Sequence, residues 1–236
     1  MNFSDVFKDS FTYPLKDLKK FFILFLLFLG SFIIIPGIAA LGYSLRIIEH
    51  TLDGKKGLPD FNDFGQLFGK GLELIGVNII YKVPVFVVMI SMLLIGKNPL
   101  LVASSITSLN YLTILLLVIG FLVSIFYMIG LANMVHEKSF NSAFDFRRIL
   151  ELIKKIGWKK YLTYIVLYTI IVELINNAPI LLKALTSHVN ILGLIGYFII
   201  SFIFSTYILA FGSRFKGLIY PLEKSEVEND GPLMGD

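Results

Sequence analysis

The sequence predicts an all-α, polytopic helical membrane protein. The expected plan is three repeats, each an interfacial amphipathic helix followed by a transmembrane helical hairpin, the first hairpin re-entrant in one reading. Three observations carry that expectation. The chain is 56% hydrophobic and only 16% charged, with mean hydropathy +0.78, whereas a water-facing domain carries about 25% charge. Uncharged apolar runs of about 20 residues, long enough to cross hydrocarbon, recur along its length. Finally, an amphipathic stretch, Ser142 to Gly157, feeds directly into such a run, and similar pairings precede it.

Asn2 to Tyr13 has helical spacing of Phe3, Phe7 and Phe11, a cap at Ser4 or Asp5, and a stop at Pro14. Lys16, Lys19 and Lys20 then stand where headgroup phosphates would lie. Phe21 to Leu45 is uncharged and is interrupted by Pro36-Gly37. As one helix it is long enough to span. As two arms, each reaches only about 18–22 Å into a roughly 30 Å core.

Charge placement chooses between these readings. Basic residues fall in four clusters: Lys8 to Lys20, Arg46 to Lys70, Lys138 to Lys160, and Arg214 to Lys224. Only Lys97 and Lys183 occupy the other connections. A single crossing would put the second and third clusters on the face opposite the first, against the positive-inside bias. A run that turns back at Pro36-Gly37 puts all four on the cytoplasmic face. The hairpin or re-entrant reading is therefore favoured over one crossing.

Leu58 to Ile75 reads as the second flat segment, with Phe64, Leu67, Phe68, Leu72 and Ile75 on its apolar stripe. Val77 to Gly96 then crosses, carrying Asn78, Lys82 and Pro84. A Ser/Thr-rich connection (Ser104, Ser105, Thr107, Ser108) leads to a second crossing from about Tyr111 to Val135. In the third unit Phe146, Ile149, Leu150 and Ile153 form the stripe. Arg147, Arg148, Lys154, Lys155, Lys159 and Lys160 supply the basic face and its continuation. Crossings follow up to Leu182 and from about Ile191 to Gly212. Placing Asp63-Phe64 over Asp145-Phe146 aligns Leu67-Phe68 with Ile149-Leu150. The domain plan is one membrane domain, 1–220, with repeats at about 1–57, 58–138 and 139–220. Residues 221–236 are expected to be an acidic disordered tail, since Glu223 to Asp236 holds five acids and one Lys. Both termini are expected on the cytoplasmic side of a multi-pass cell-membrane protein.

Function classes narrow by chemistry. There is no Cys, which removes disulfides, thiolate metal sites and thiol nucleophiles. His50, His136 and His188 lie far apart without metal-ligand spacing. No G-x-S-x-G elbow or paired-carboxylate arrangement is present. No catalytic residue, metal site or cofactor is assigned, and the chain is read as not an enzyme. The net charge of +4 is expected to serve anionic headgroups, not nucleic acid, because the basic residues flank apolar runs.

The costliest residue is Glu173, deep in a crossing, where an unpaired charge is unfavourable by several kcal/mol. Thr169, Glu173 and Asn176 share one helical face. That stripe is either hydrogen-bonding glue between helices or the polar path of a small transporter or channel. Lys82, one turn after Asn78, could pair with Glu173 or simply snorkel to the inner boundary. The favoured function is a non-enzymatic, membrane-organising or lipid-interacting bundle. Its partners would be anionic lipids bound through Arg147, Arg148, Lys154, Lys155, Lys159 and Lys160, with a homo-oligomer or other membrane proteins as further partners.

One run is more specific than composition. Gly42-Tyr43-Ser44-Leu45-Arg46, Leu52-Asp53-Gly54, Leu58-Pro59-Asp60-Phe61, Gly71-Leu72 and Tyr81-Lys82-Val83-Pro84 together resemble an archaeal membrane-protein family common in methanogens, the domain of unknown function 4013. The layout is also similar to the membrane domain attached to some glycerophosphodiester phosphodiesterases, with no catalytic residues to carry over. The resemblance implies a plasma-membrane protein of an archaeon and assigns no activity or site.

Overall fold

The computed structural model describes residues 3–94, 111–185 and 191–222. Within them the chain is helical and has no strand. In chain order the helices are α1 (Phe3–Thr12), α2 (Leu18–Leu29), α3 (Ile35–Leu52), α4 (Phe64–Leu94), α5 (Tyr111–His136), α6 (Phe146–Ile156), α7 (Trp158–Leu185) and α8 (Ile191–Ile219). Four of them, α4, α5, α7 and α8, are long and apolar enough to cross a membrane. The chain is thus an integral membrane protein. Lys97, the Ser104–Ser108 connection, His188 and the acidic tail from Glu223 onward lie outside the described residues.

The core of the bundle is α3, not one of the spans. Residues 39–48, apart from Leu41, are buried, and they pack on α2, α4, α5 and α8. Two glycines permit this. A Cβ on Gly42 would collide with the backbone of Leu67, and one on Gly71 with the carbonyl of Ile38. The α3 and α4 backbones therefore touch where both lack side chains, the small-residue route to close helix contact.

The first apolar run is two helices. α2 has 12 residues, about 18 Å at helical rise, too short to cross. It ends in a 3-10 turn at Gly30–Phe32, and Pro36 sits in the first turn of α3, where a missing N–H costs nothing. Lys20, at the start of α2, donates to the Leu58 carbonyl at 2.8 Å and pairs with Asp60 just past the end of α3. The outer ends of the two helices therefore lie together and the pair is antiparallel. At its tip Phe28 and Phe32 meet Phe202, near the middle of α8. Phe32, Ile33 and Ile34 are 78%, 70% and 71% exposed there.

The third unit follows the expected local order. Asp145 caps α6 through the Arg148 amide. Gly157, at φ 94°, ends it in a left-handed conformation, and α7 begins at the next residue. The second unit departs from it. Asp63 caps α4 in the same way, through the Gln66 amide at 3.0 Å, but α4 then runs unbroken for 31 residues. Leu58–Ile75 is not a separate flat helix. Gly76 stays helical and lies against the Phe140 ring, so nothing turns the chain where Gly157 turns it later.

The amphipathic stripes also face differently from the expectation. Ile149, Leu152 and Ile153 are fully buried in the main core with Tyr161, Ile129 and Tyr81, so protein covers most of the α6 stripe and only Phe146 stays exposed. Phe3 stacks on Tyr164, Phe7 meets Phe215 and Phe11 meets Phe211. These apolar faces are consumed by the bundle and are not laid into lipid.

Candidate functional site

The basic clusters converge on one end of the bundle. Arg214 pairs with Asp9 at 2.6 Å and donates to the Lys55 carbonyl at 2.7 Å, which joins the first, second and fourth clusters. Lys70 pairs with Glu49, and both line one groove with Lys138 at the start of the third cluster. Lys183, by contrast, lies in the last turns of α7, toward the other end.

The hub of this end is the loop from Asp53 to Asp63, which holds most of the residues of the G-Y-x-x-R … D-G … L-P-x-F run. Tyr13 donates to the Gly57 carbonyl at 2.9 Å and Tyr43 to that of Pro59 at 2.7 Å. The Tyr43 and Phe61 rings stack at 4.1 Å. Buried Arg46 reaches the carbonyls of Asp60 (2.9 Å) and Asn62 (2.6 Å) and the side chain of Gln66 (2.7 Å). These side chains satisfy loop carbonyls, so the motif builds a scaffold. Among the described residues no buried side-chain nitrogen or oxygen lacks a partner. The polar groups free to meet a ligand are consequently at the surface.

Two adjacent depressions lie along α4. The first is a groove of about 490 Å³ between α3, α4 and the end of α5, lined by Leu45, Glu49, Gln66, Lys70, Glu73, Lys138, Ser139 and Phe140. The second is a crevice of about 320 Å³ lined by Ile80, Tyr81, Pro84, Leu122, Phe126, Phe144 and Phe146 among others. Sequence reasoning missed both, because each draws on elements separated by tens of residues.

The headgroup candidates lie together. Arg147, Lys154, Lys155, Lys159 and Lys160 are exposed, and Arg148 is half-exposed. They form the outer face of α6 and the first turn of α7, with Trp158 exposed beside them. Arg147 and Arg148 approach Glu151 only loosely, at 3.7 and 3.9 Å.

The intramembrane candidates do not assemble. Asn78 is structural: its amide donates to the Leu74 carbonyl and accepts from Tyr127 at 3.0 Å, tying α4 to α5. Tyr81 donates to the carbonyls of Ala143 and Phe126, and Tyr161 to that of Ile125. Lys82 is therefore level with Tyr161, and Glu173 lies about 18 Å further along α7 at helical rise. No Lys82–Glu173 contact forms. Lys82 is exposed near the basic end, where its ammonium can reach the boundary by snorkelling. Thr169, Glu173 and Asn176 are all exposed on the outer side of α7 and line none of these depressions. His50 bonds the Gly57 carbonyl and His136 faces the Tyr220 ring.

Residues 23–213 match the family model described as "Protein of unknown function (DUF4013)". No curated protein and no solved structure matches the chain. The match spans most of the sequence, from within α2 to the last turns of α8, and the chain belongs to that family.

Proposed function

We propose that this family member is a non-enzymatic, lipid-engaging bundle of the cell membrane, with its basic end and both termini in the cytoplasm. The observation that carries this reading is the α6–α7 corner. The apolar stripe of α6 is spent on the protein core, so Arg147, Arg148, Lys154, Lys155, Lys159 and Lys160 form a fixed plate of cations at the end where the other basic clusters gather. A surface cation near anionic lipid contributes about 1 kcal/mol. Rigid presentation avoids the ordering cost that a free amphipathic helix would meet on binding.

Two features support the finer architecture. Paired Asp caps at Asp63 and Asp145 fit a repeated unit, though the units differ at Gly76 and Gly157. The half-length α2, whose tip meets the middle of α8, fits a re-entrant hairpin with both ends on the basic side. The outward stripe Thr169, Glu173 and Asn176 is the face that a second copy or another membrane protein would cover, since hydrocarbon tolerates it poorly.

The test is lipid selectivity of the whole chain in bilayers that mix anionic and zwitterionic lipid. With Arg147, Lys154, Lys155 and Lys159 all changed to Gln, enrichment of anionic lipid around the protein should fall toward the bulk ratio. Unchanged enrichment overturns the reading.

A further inference from the structure

We infer that the face of α4 running from Gln66 to Pro84 is a binding site for one phospholipid whose headgroup carries both a phosphate and a primary ammonium. The site deepens the lipid-engaging reading above, on a surface separate from the α6–α7 plate. The argument begins with helical spacing. Gln66, Lys70, Glu73, Gly76, Ile80 and Pro84 follow at three or four residues and so share one side of α4. The shallow half of that side lines the charged groove, and the deep half lines the apolar crevice.

The two depressions meet at a pair of rings. Phe140 borders the groove, Phe144 borders the crevice, and the rings lie edge to face at 5.5 Å. Ile80 and Pro84 stand about 10–16 Å beyond Glu73 at helical rise, the direction in which a lipid passes from headgroup to chain. Ile80 and Leu122 are 45% and 49% exposed, and both belong to spans. The crevice therefore opens sideways into hydrocarbon, and a chain can enter without crossing water.

Charge selects the headgroup. The groove holds two acids, Glu49 and Glu73, and two bases, Lys70 and Lys138. Glu49 and Lys70 pair with each other, and Gln66 gives its side-chain oxygen to Arg46. The side chains of Glu73 and Lys138 pair with no described residue and are exposed at the groove. Lys138, with the Ser139 hydroxyl beside it, suits a phosphate; Glu73 suits a donor cation. A purely anionic headgroup would meet the Glu73 carboxylate, which is a like-charge penalty. A quaternary ammonium could not donate a hydrogen bond to it.

The experiment uses the full chain in liposomes containing a phosphatidylethanolamine probe with a photoreactive group halfway down one acyl chain. Label should concentrate on residues 80–84 and 119–126 over the outer faces of α7 and α8. Glu73→Gln or Lys138→Gln alone should reduce it about tenfold, the worth of one charge-assisted contact, and Leu122→Trp, which fills the crevice from the other side, should also reduce it. Removing the four α6–α7 charges should leave the label in place, so this site and the plate fail separately. Excess unlabelled phosphatidylethanolamine should compete, whereas phosphatidylglycerol and phosphatidylcholine should not. Even labelling of all spans, equal competition by phosphatidylglycerol or phosphatidylcholine, or displacement by free phosphoethanolamine would each overturn the assignment.

Discussion

Arg46 offers the sharpest test of the scaffold. It is buried, and its guanidinium holds three acceptors between 2.6 and 2.9 Å, namely Asn62 O, Gln66 Oε1 and Asp60 O. Arg46→Leu keeps the apolar stem but leaves those acceptors facing a methyl group. A hydrogen bond from a charged donor contributes about 1.5–3 kcal/mol. Water can reach some of the released loop carbonyls, so the sum is smaller than three independent bonds, and about 3 kcal/mol is expected. For a chain of this size that corresponds to about 6–12 °C in melting temperature. The assay is thermal unfolding of purified protein in detergent, together with protease cleavage between Asp53 and Asp63. Arg46→Leu should melt early and be cut quickly in that loop. Arg46→Lys, which keeps the charge without the fork, should recover part of the loss. A leucine variant that melts with the wild type and resists cleavage would refute the claim that Arg46 holds the loop.

Three further outcomes follow from the same geometry. Gly71→Ala should reduce stability more than Gly69→Ala, because only the first Cβ meets a facing backbone; equal melting temperatures would contradict the close α3–α4 crossing. Burial raises the Asp9 carboxyl, but hydrogen bonds from Lys16 and Arg214 outweigh it and hold the group below its ordinary 3.8. Its stabilisation should therefore be complete above about pH 5 and lost as pH falls through the lowered value. Asp9→Asn should flatten that acid limb and release α1 to protease. Glu173→Gln should leave proton flux in proteoliposomes unchanged and should not lower the melting temperature, since the side chain faces away from the bundle and lines none of the depressions described; pH-dependent flux abolished by the substitution would restore the channel reading.

What the sequence disclosed depended on range. Helix starts were less legible: the third amphipathic stretch was expected from Ser142, whereas Asp145 caps a helix that begins at Phe146. Spans were legible because hydrocarbon demands long, predominantly apolar runs. The α6 stripe was visible by period, yet period alone does not distinguish lipid from protein as the covering phase; Tyr81 and Ile129, which share its core, are distant in sequence. The unbroken α4 was hidden for a related reason. Gly76 and Gly157 are both plausible breaks, and only the Phe140 ring against one and a positive φ at the other tell them apart. Gly42, Gly71 and Arg46 were noticed as part of a family pattern, but their shared task of closing α3 on α4 and its leading loop needed coordinates.

Topology is where charge pattern and packing can be tested together. Lys55 lies in the hub loop, and its carbonyl accepts from Arg214 while its side chain is exposed. Lys155 lies on the outer face of α6. Among the described residues between them, two helices are of spanning length, α4 and α5, and two crossings return the chain to the side it left. Lys55→Cys and Lys155→Cys, each made singly in a chain with no native cysteine, should react with an impermeant maleimide from one face of sealed vesicles and from the same face as each other. If α2 and α3 were instead one full crossing, the basic residues near Lys20 and near Lys55 would be on opposite faces, and the Lys20–Asp60 pair at 2.8 Å could not form. A third label at Lys19→Cys decides this. Reaction of all three from one face supports the turned-back hairpin, and reaction of residue 19 from the opposite face would break it.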